Sequence, residues 1–248
     1  MADALIGYTG FVGSNLLKAR HYDHLYNSKD IHKIYGMSFD TIVCAGARAE
    51  KWKANQNPRE DAENIERLLD KLYTIQVEHF VLISTIDVYD APVGVDESSD
   101  IDTEAQSPYG YNRYWLEQEC RTLFGSNLTI LRLPALFGPG LKKNALYDLM
   151  HNNQTDKIAP NAQYQWYPVG LLNYDIRYTI RLRPSLFNIA SEPIFMSEIR
   201  NRFFPDVEIG PENPDAPKYD VHCLYVKGGY RMGKERVLRC MEKFLSCA

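Results

Sequence analysis

The stretch Ala4-Leu-Ile-Gly7-Tyr-Thr-Gly10-Phe-Val-Gly13-Ser-Asn15 constrains the fold more than any other part of the chain. A short apolar run ends in glycine, two more glycines follow at three-residue intervals, and Leu16 and Leu17 come next. That order reads as a buried strand, a tight turn and the start of a helix. In such a unit Gly7 lets the chain turn sharply, Gly10 lets backbone amides approach a pyrophosphate, and Gly13 lets the helix lie close to the strand. The helix start then faces the phosphates with free N–H groups and the positive end of its dipole. Thr9, Phe11 and Val12 complete the expected dinucleotide cradle. The spacing differs from Gly-x-Gly-x-x-Gly, so the turn alone leaves a packing role open.

Composition narrows the class. The chain has 248 residues, 45% of them apolar, enough to bury a core as one domain or one domain with a small appendage. A net charge of -4 and a pI near 5.9 argue against a nucleic-acid partner. No run of ~18 apolar residues and no basic segment leading into an apolar stretch is present, so neither a membrane span nor a signal peptide is expected and the protein reads as cytoplasmic. The five cysteines lack Cys-x-x-Cys spacing and read as reduced thiols. The histidines form no ligand pattern, and no metal site is expected.

Strands alternate with helices along the chain, which predicts an α/β fold with a doubly wound parallel sheet. A helix is expected over 11–20, a strand over 24–27 and a helical turn over 31–34. A strand over 41–45 ends at Gly46, and a polar loop over 48–57 carries Lys51, Trp52 and Lys53. The helix over 59–73 is marked by Ile65, Leu68, Leu69 and Leu72 at spacings of three and four, and the strand over 79–84 is continuously apolar. The residue ending the second strand selects the cofactor, because a carboxylate there grips the 2′-hydroxyl of NAD and repels the 2′-phosphate of NADP. Asn27, Ser28 and Lys29 stand there, which favours NADP, although NAD could still bind through Asn27. Cys44, Ala45, Gly46 and Ala47 close the third strand, either as a small-residue seat for the adenosine or as a tight exit.

The turn resembles that of the extended short-chain dehydrogenase/reductase family, the sugar-nucleotide epimerases, dehydratases and reductases, and within it the dTDP-4-dehydrorhamnose reductase-like members. Two further segments carry the likeness. Ser84-Thr85-Ile86-Asp87-Val88-Tyr89 resembles the family's Ser-Ser/Thr-x-x-Val-Tyr-Gly, and Pro108-Tyr109-Gly110-Tyr111-Asn112-Arg113 its Pro-Tyr-Gly-x-Ser-Lys. The resemblance implies Tyr109 as catalytic acid/base, Thr85 beside it, and Ser84, Tyr109, Arg113 and Pro134 among the groups on the cofactor. Arg113 replaces the family's lysine; it keeps a charge one helical turn from the phenol but cannot release a proton. Ile86 stands where the dehydratases carry an acid, which counts against dehydration. Asp87 is either a base or substrate ligand, or a polar strand end.

The same resemblance implies NAD or NADP as cofactor, a sugar or nucleotide-sugar substrate, and a homodimer through helices 59–73 and 111–124. It divides the chain into an NAD(P)-binding Rossmann-like domain over 1–140 and a small C-terminal substrate lobe over 141–248, with about 184–202 returning to the sheet. Substrate contacts are expected from Trp52, Lys53, Asp87, Lys142, Lys143 and Asn144. Arg177, Arg181 and Arg183 line the cleft or merely solubilise it. The expected activity is an NAD(P)-dependent reductase or epimerase; the alternative, prompted by Arg113, is a catalytically weakened NAD(P)-binding protein with a sensing or assembly role.

Overall fold

The structure is a computed structural model that describes residues 2–247. Residue contacts divide the chain into two compact units. The first comprises residues 1–90, 100–132 and 170–187, the second 91–99, 133–169 and 188–248.

The first unit is organised on a sheet of strands β1 (Asp3–Ile6), β2 (His24–Tyr26), β3 (Ser38–Cys44), β4 (Gln76–Thr85), β6 (Leu128–Leu133) and β10 (Leu186–Asn188), in the spatial order β10-β6-β4-β3-β1-β2. The strands run parallel, with Ile6 opposite both Tyr26 and Cys44, and Cys44 opposite Leu82. Burial on both faces explains the unbroken apolar stretches within them, such as residues 42–44 of β3 and 80–82 of β4. Ala4, Ile6, Ile42, Cys44, Phe80 and Leu82 point to one face and form a core with Ile65, Leu69 and Leu72 of α3 (Pro58–Leu72) and Leu116 and Cys120 of α4 (Pro108–Phe124). Leu5, Val43, Val81 and Leu131, equally buried, alternate onto the other face. Helices α1 (Phe11–Ala19) and α6 (Leu172–Leu182) complete the unit and pack together.

The parallel sheet puts every carboxyl end on one edge. Strand order reverses between β1 and β3, and in open α/β sheets ligands bind in the crevice at such a switch point. The glycine turn fills that position. Gly7 has φ +84°, and a Cβ on Gly13 would lie 2.2 Å from the Gly7 carbonyl oxygen, so the chain reverses and α1 abuts the strand end only because both residues lack side chains.

The segment expected as a polar loop over 48–57 contains a short helix, α2 (Lys51–Gln56). Only Ala54 of it is buried, so no apolar periodicity marks it in the sequence.

The second unit holds β5 (Val93–Val95) paired with β12 (Asp220–Val221), β7 (Ala135–Phe137) paired with β9 (Trp166–Pro168), and β8 (Gln163–Tyr164) antiparallel to β11 (Ile194–Phe195). Helices α5 (Ala145–His151), α7 (Met196–Phe203) and α8 (Lys234–Leu245) belong to the same unit, α7 packing against β11 and α8 against β9. Its core includes Trp166, Tyr167 and Phe137, and Gln165 ties it internally by donating to the carbonyls of Ser191 and Val221 and accepting from the Val221 amide. Among the described residues no helix is long and apolar enough to cross a membrane, and no group of three or more His, Cys, Asp or Glu residues could hold a metal ion.

Candidate active site

Tyr109 occupies the first turn of α4, whose start is fixed by Pro108 and by Ser107, the side chain of which accepts from the Gly110 amide at 3.2 Å. A Cβ on Gly110 would lie 2.4 Å from the Asp87 carbonyl oxygen. The missing side chain therefore lets α4 seat Tyr109 against the turn that follows β4. In that turn the Asp87 amide donates to Thr85 Oγ1 at 3.1 Å, and the Thr85 hydroxyl donates to Asp87 Oδ2 at 3.3 Å. Across it, Lys51 of α2 donates to Asp87 Oδ1 at 2.7 Å, and Asn55 Oδ1 accepts the Tyr109 amide at 3.0 Å. Thr85, Asp87, Tyr109 and Arg113, spread over the sequence, are thus brought together at the carboxyl end of β4, with Lys51 and Asn55 added.

Arg113 is 3% exposed, and its guanidinium lies 4.6 Å from the Tyr109 ring centroid. Its donors are taken up bidentately by Asp61 of α3, at 3.1 Å and 2.8 Å, and by the Arg48 carbonyl. Asn112 also donates to Asp61, at 3.0 Å. Arginine at this position therefore cross-links α3 and α4 through a forked pair that a lysine could not make. Burial pushes the Tyr109 phenol above its ordinary pKa; Arg113, by charge and hydrogen bond, and Lys51, by charge, pull it down, while Asp87 pushes it up.

A second buried pair lies beneath. Glu117 of α4 is fully buried and accepts from Arg132 of β6 at 3.0 Å and 2.6 Å, and its Oε1 also accepts the Ser84 hydroxyl at 2.5 Å. The Ser84 hydroxyl is thereby turned to α4 and into the core.

The other expected cofactor residues distribute along the same edge. Thr9 and Gly10 are exposed, Phe11 and Val12 half-buried, and no side chain caps the start of α1. A Cβ on Gly10 would meet nothing closer than the Gly7 carbonyl oxygen at 3.4 Å. The space over this turn is therefore open to a ligand, and the residues present fit a dinucleotide phosphate. The Asn27 side chain donates to the Tyr8 hydroxyl at 3.0 Å and accepts from the Lys29 amide at 2.8 Å, tying the end of β2 to the turn. Ser28 and Lys29 are exposed. An acid missing from the sequence reading also reaches this place: Asp30 folds back so that its Oδ1 accepts the Asn27 amide at 2.6 Å. Cys44 is fully buried in the core, its thiol pushed up to about 11 by burial, while Ala45 and Ala47 are half-buried and Gly46 exposed beyond it.

Trp52 is 61% exposed on α2, and Lys53 lies 3.6 Å from Glu60. Pro134 and the expected substrate residues Lys142, Lys143 and Asn144 belong to the second unit. There Asn144 caps α5, its Oδ1 accepting the Tyr147 amide at 3.1 Å and its amide donating to the Leu136 carbonyl at 2.9 Å; Lys142 and Lys143 are exposed.

Sheet order, switch-point turn and helices on both faces define a doubly wound, Rossmann-like α/β protein. The chain belongs to the NAD dependent epimerase/dehydratase family, whose profile matches residues 20–162, more than half of the sequence and a span that includes Thr85, Asp87, Tyr109 and Arg113. Among solved structures it is similar to UDP-glucose 4-epimerase from Thermotoga maritima, with a TM-score of 0.76 at 16% identity over 100% of this chain and 99% of that one. It is also similar to dTDP-4-dehydrorhamnose reductase from Yersinia enterocolitica, with a TM-score of 0.73 at 13% identity over 99% of each chain. The same reductase from Bacillus anthracis, in complex with NADP, gives a TM-score of 0.74 at 18% identity over 100% of this chain and 98% of that one. No curated protein matches the sequence.

Proposed function

We propose that the protein is a cytoplasmic NAD(P)-dependent reductase or epimerase acting on a hydroxyl or keto carbon of a sugar carried on a nucleotide. The convergence of Thr85, Asp87 and Tyr109 on one strand end, in a chain of this family, is the observation that supports it. The nicotinamide, when bound, would exchange hydride with the sugar carbon. Gly7, Thr9, Gly10, Phe11, Val12 and Gly13 would hold the pyrophosphate, and Ala45, Gly46 and Ala47 the adenosine side. Tyr109 would hold the proton exchanged with the sugar oxygen, Thr85 would hydrogen-bond that oxygen, and Arg113 would keep the phenol oriented. Trp52, Lys53, Lys142, Lys143 and Asn144 are proposed for the substrate, Pro134 for the nicotinamide end, and α3 with α4 for a homodimer, which sedimentation equilibrium would reveal as twice the chain mass. Over this proposed division, residues 1–140 serve the cofactor and 141–248 the substrate, with about 184–202 in the sheet.

Gly10→Ala tests the cradle. Because its Cβ has room in the ligand-free protein, stability should change by less than about 1 kcal/mol. Dinucleotide affinity should nevertheless fall by about tenfold or more, since the methyl group occupies the path to the backbone amides. Unchanged affinity by fluorescence titration would remove the turn from the cofactor site.

For the choice of dinucleotide we favour NADP, because Lys29 and Ser28 are exposed while the Asp30 carboxylate is engaged by the Asn27 amide. Asp30 is still the charge that opposes a 2′-phosphate. Asp30→Asn is expected to raise the NADP-to-NAD affinity ratio by about tenfold; a ratio that does not move places the ribose elsewhere.

The engagement of Arg113 by Asp61 favours one second reading, a dinucleotide-binding protein of weakened catalysis with a sensing or assembly role. Steady turnover of any nucleotide sugar by the unmodified protein would eliminate it.

A further inference from the structure

The charged groups that act on the Tyr109 phenol come from three elements: Arg113 from α4, Asp87 from the turn after β4, and Lys51 from α2. Asp61 of α3 stands behind Arg113. Farther out, Arg48 and Lys53 both approach Glu60, at 3.5 Å and 3.6 Å. The four nearer groups form two ion pairs of different character. In Arg113–Asp61 the side chains are 3% and 8% exposed and doubly bonded, so that pair is closed. In Lys51–Asp87 they are 45% and 20% exposed, and the ammonium of a flexible side chain meets the carboxylate at 2.7 Å. Because Asp61 already balances Arg113, the formal charges of the four sum to zero with Lys51 in place and to minus one without it.

We infer that Lys51 is a positioning residue for the reaction at Tyr109: its ammonium neutralises Asp87, holds that carboxylate at the Thr85 hydroxyl, and adds a displaceable positive charge to the fixed one of Arg113, which is committed to Asp61. The inference rests on the reading of Tyr109 and Thr85 as the reacting pair. It also gives α2 a purpose. A short helix outside the sheet sets Lys51 onto Asp87 and Asn55 onto the backbone of Tyr109, so both ends of the Thr85–Tyr109 arrangement are held from one element. Burial by itself favours the neutral phenol, so the balance of nearby charges decides how readily its proton leaves.

The test uses the full chain with a trifluorotyrosine at position 109, whose ring fluorines make the phenol more acidic, followed by fluorine NMR without dinucleotide or substrate. Lys51→Met should raise the titration midpoint by about one pH unit, because the Asp87 carboxylate loses the ammonium that lies 2.7 Å from it. Lys51→Arg should leave it within about 0.3 pH units, since the charge remains. Asp87→Asn should lower it, and the double variant Lys51→Met/Asp87→Asn should return it to within about 0.3 pH units of the parent. A rise below about half a pH unit in Lys51→Met, or the same rise in Lys51→Arg, overturns the inference. Should Lys51→Met fail to fold, the difference between Asp87→Asn and the double variant carries the same reading, and a difference below about half a pH unit overturns it. Dinucleotide titration of the parent chain is separate: lack of binding would sink the proposed function while leaving the fluorine midpoints to report on Lys51.

Discussion

Tyr109→Phe is expected to lower turnover by about two to four orders of magnitude while leaving dinucleotide affinity within about twofold. The substitution removes one oxygen and its proton and keeps the ring under the Arg113 guanidinium, which lies 4.6 Å from the centroid. The amide of residue 109 still donates to Asn55, and Gly110 still abuts Asp87, so α4 keeps its seat. Loss of rate with retained binding would thus report on proton exchange. Steady-state kinetics on a responsive nucleotide sugar, paired with a dinucleotide titration, supply both numbers; a variant as active as the parent would remove Tyr109 from the chemistry.

The second large effect is on stability. Glu117→Ala should cost about 3–5 kcal/mol, because Arg132, only 2% exposed, would keep a buried charge without its carboxylate. The Ser84 hydroxyl would lose its acceptor in the same step. For a chain of this size that is a fall in melting temperature on the order of 10 °C. Glu117→Gln, which retains shape and one acceptor, should fall less. Thermal denaturation checks both, and a cost for Glu117→Ala below about 1 kcal/mol would mean that Arg132 finds water or another partner.

These two variants also separate the layers of the site. Tyr109 and Thr85 were legible because the residues flanking them follow family segments, Ser84 to Tyr89 and Pro108 to Arg113, and are contiguous in the chain. The partners that fix them were not legible. Asp61 lies on α3, which the sequence marks through its apolar face alone, and its pairing with Arg113 spans 52 positions. Lys51 stood in what read as a loop, since α2 buries a single residue and has no periodicity to reveal it. Asp30 gives no such signal either, because it follows the strand end at Asn27 to Lys29, and only the turn over 27–30 brings its carboxylate back to the Asn27 amide.

By itself the sequence determined the local order of this protein: a strand, a three-glycine turn and a helix at the start, then apolar strands alternating with amphipathic helices. Each of those follows from backbone freedom and periodic burial over a few neighbouring residues. Tertiary structure alone decided which charges meet. Arg113 with Asp61, Arg132 with Glu117 and Lys51 with Asp87 are long-range pairs. Their selection depends on helix packing and burial, because a charge removed from water is stable only beside an opposite one and nothing in the local chain says which element will bring it.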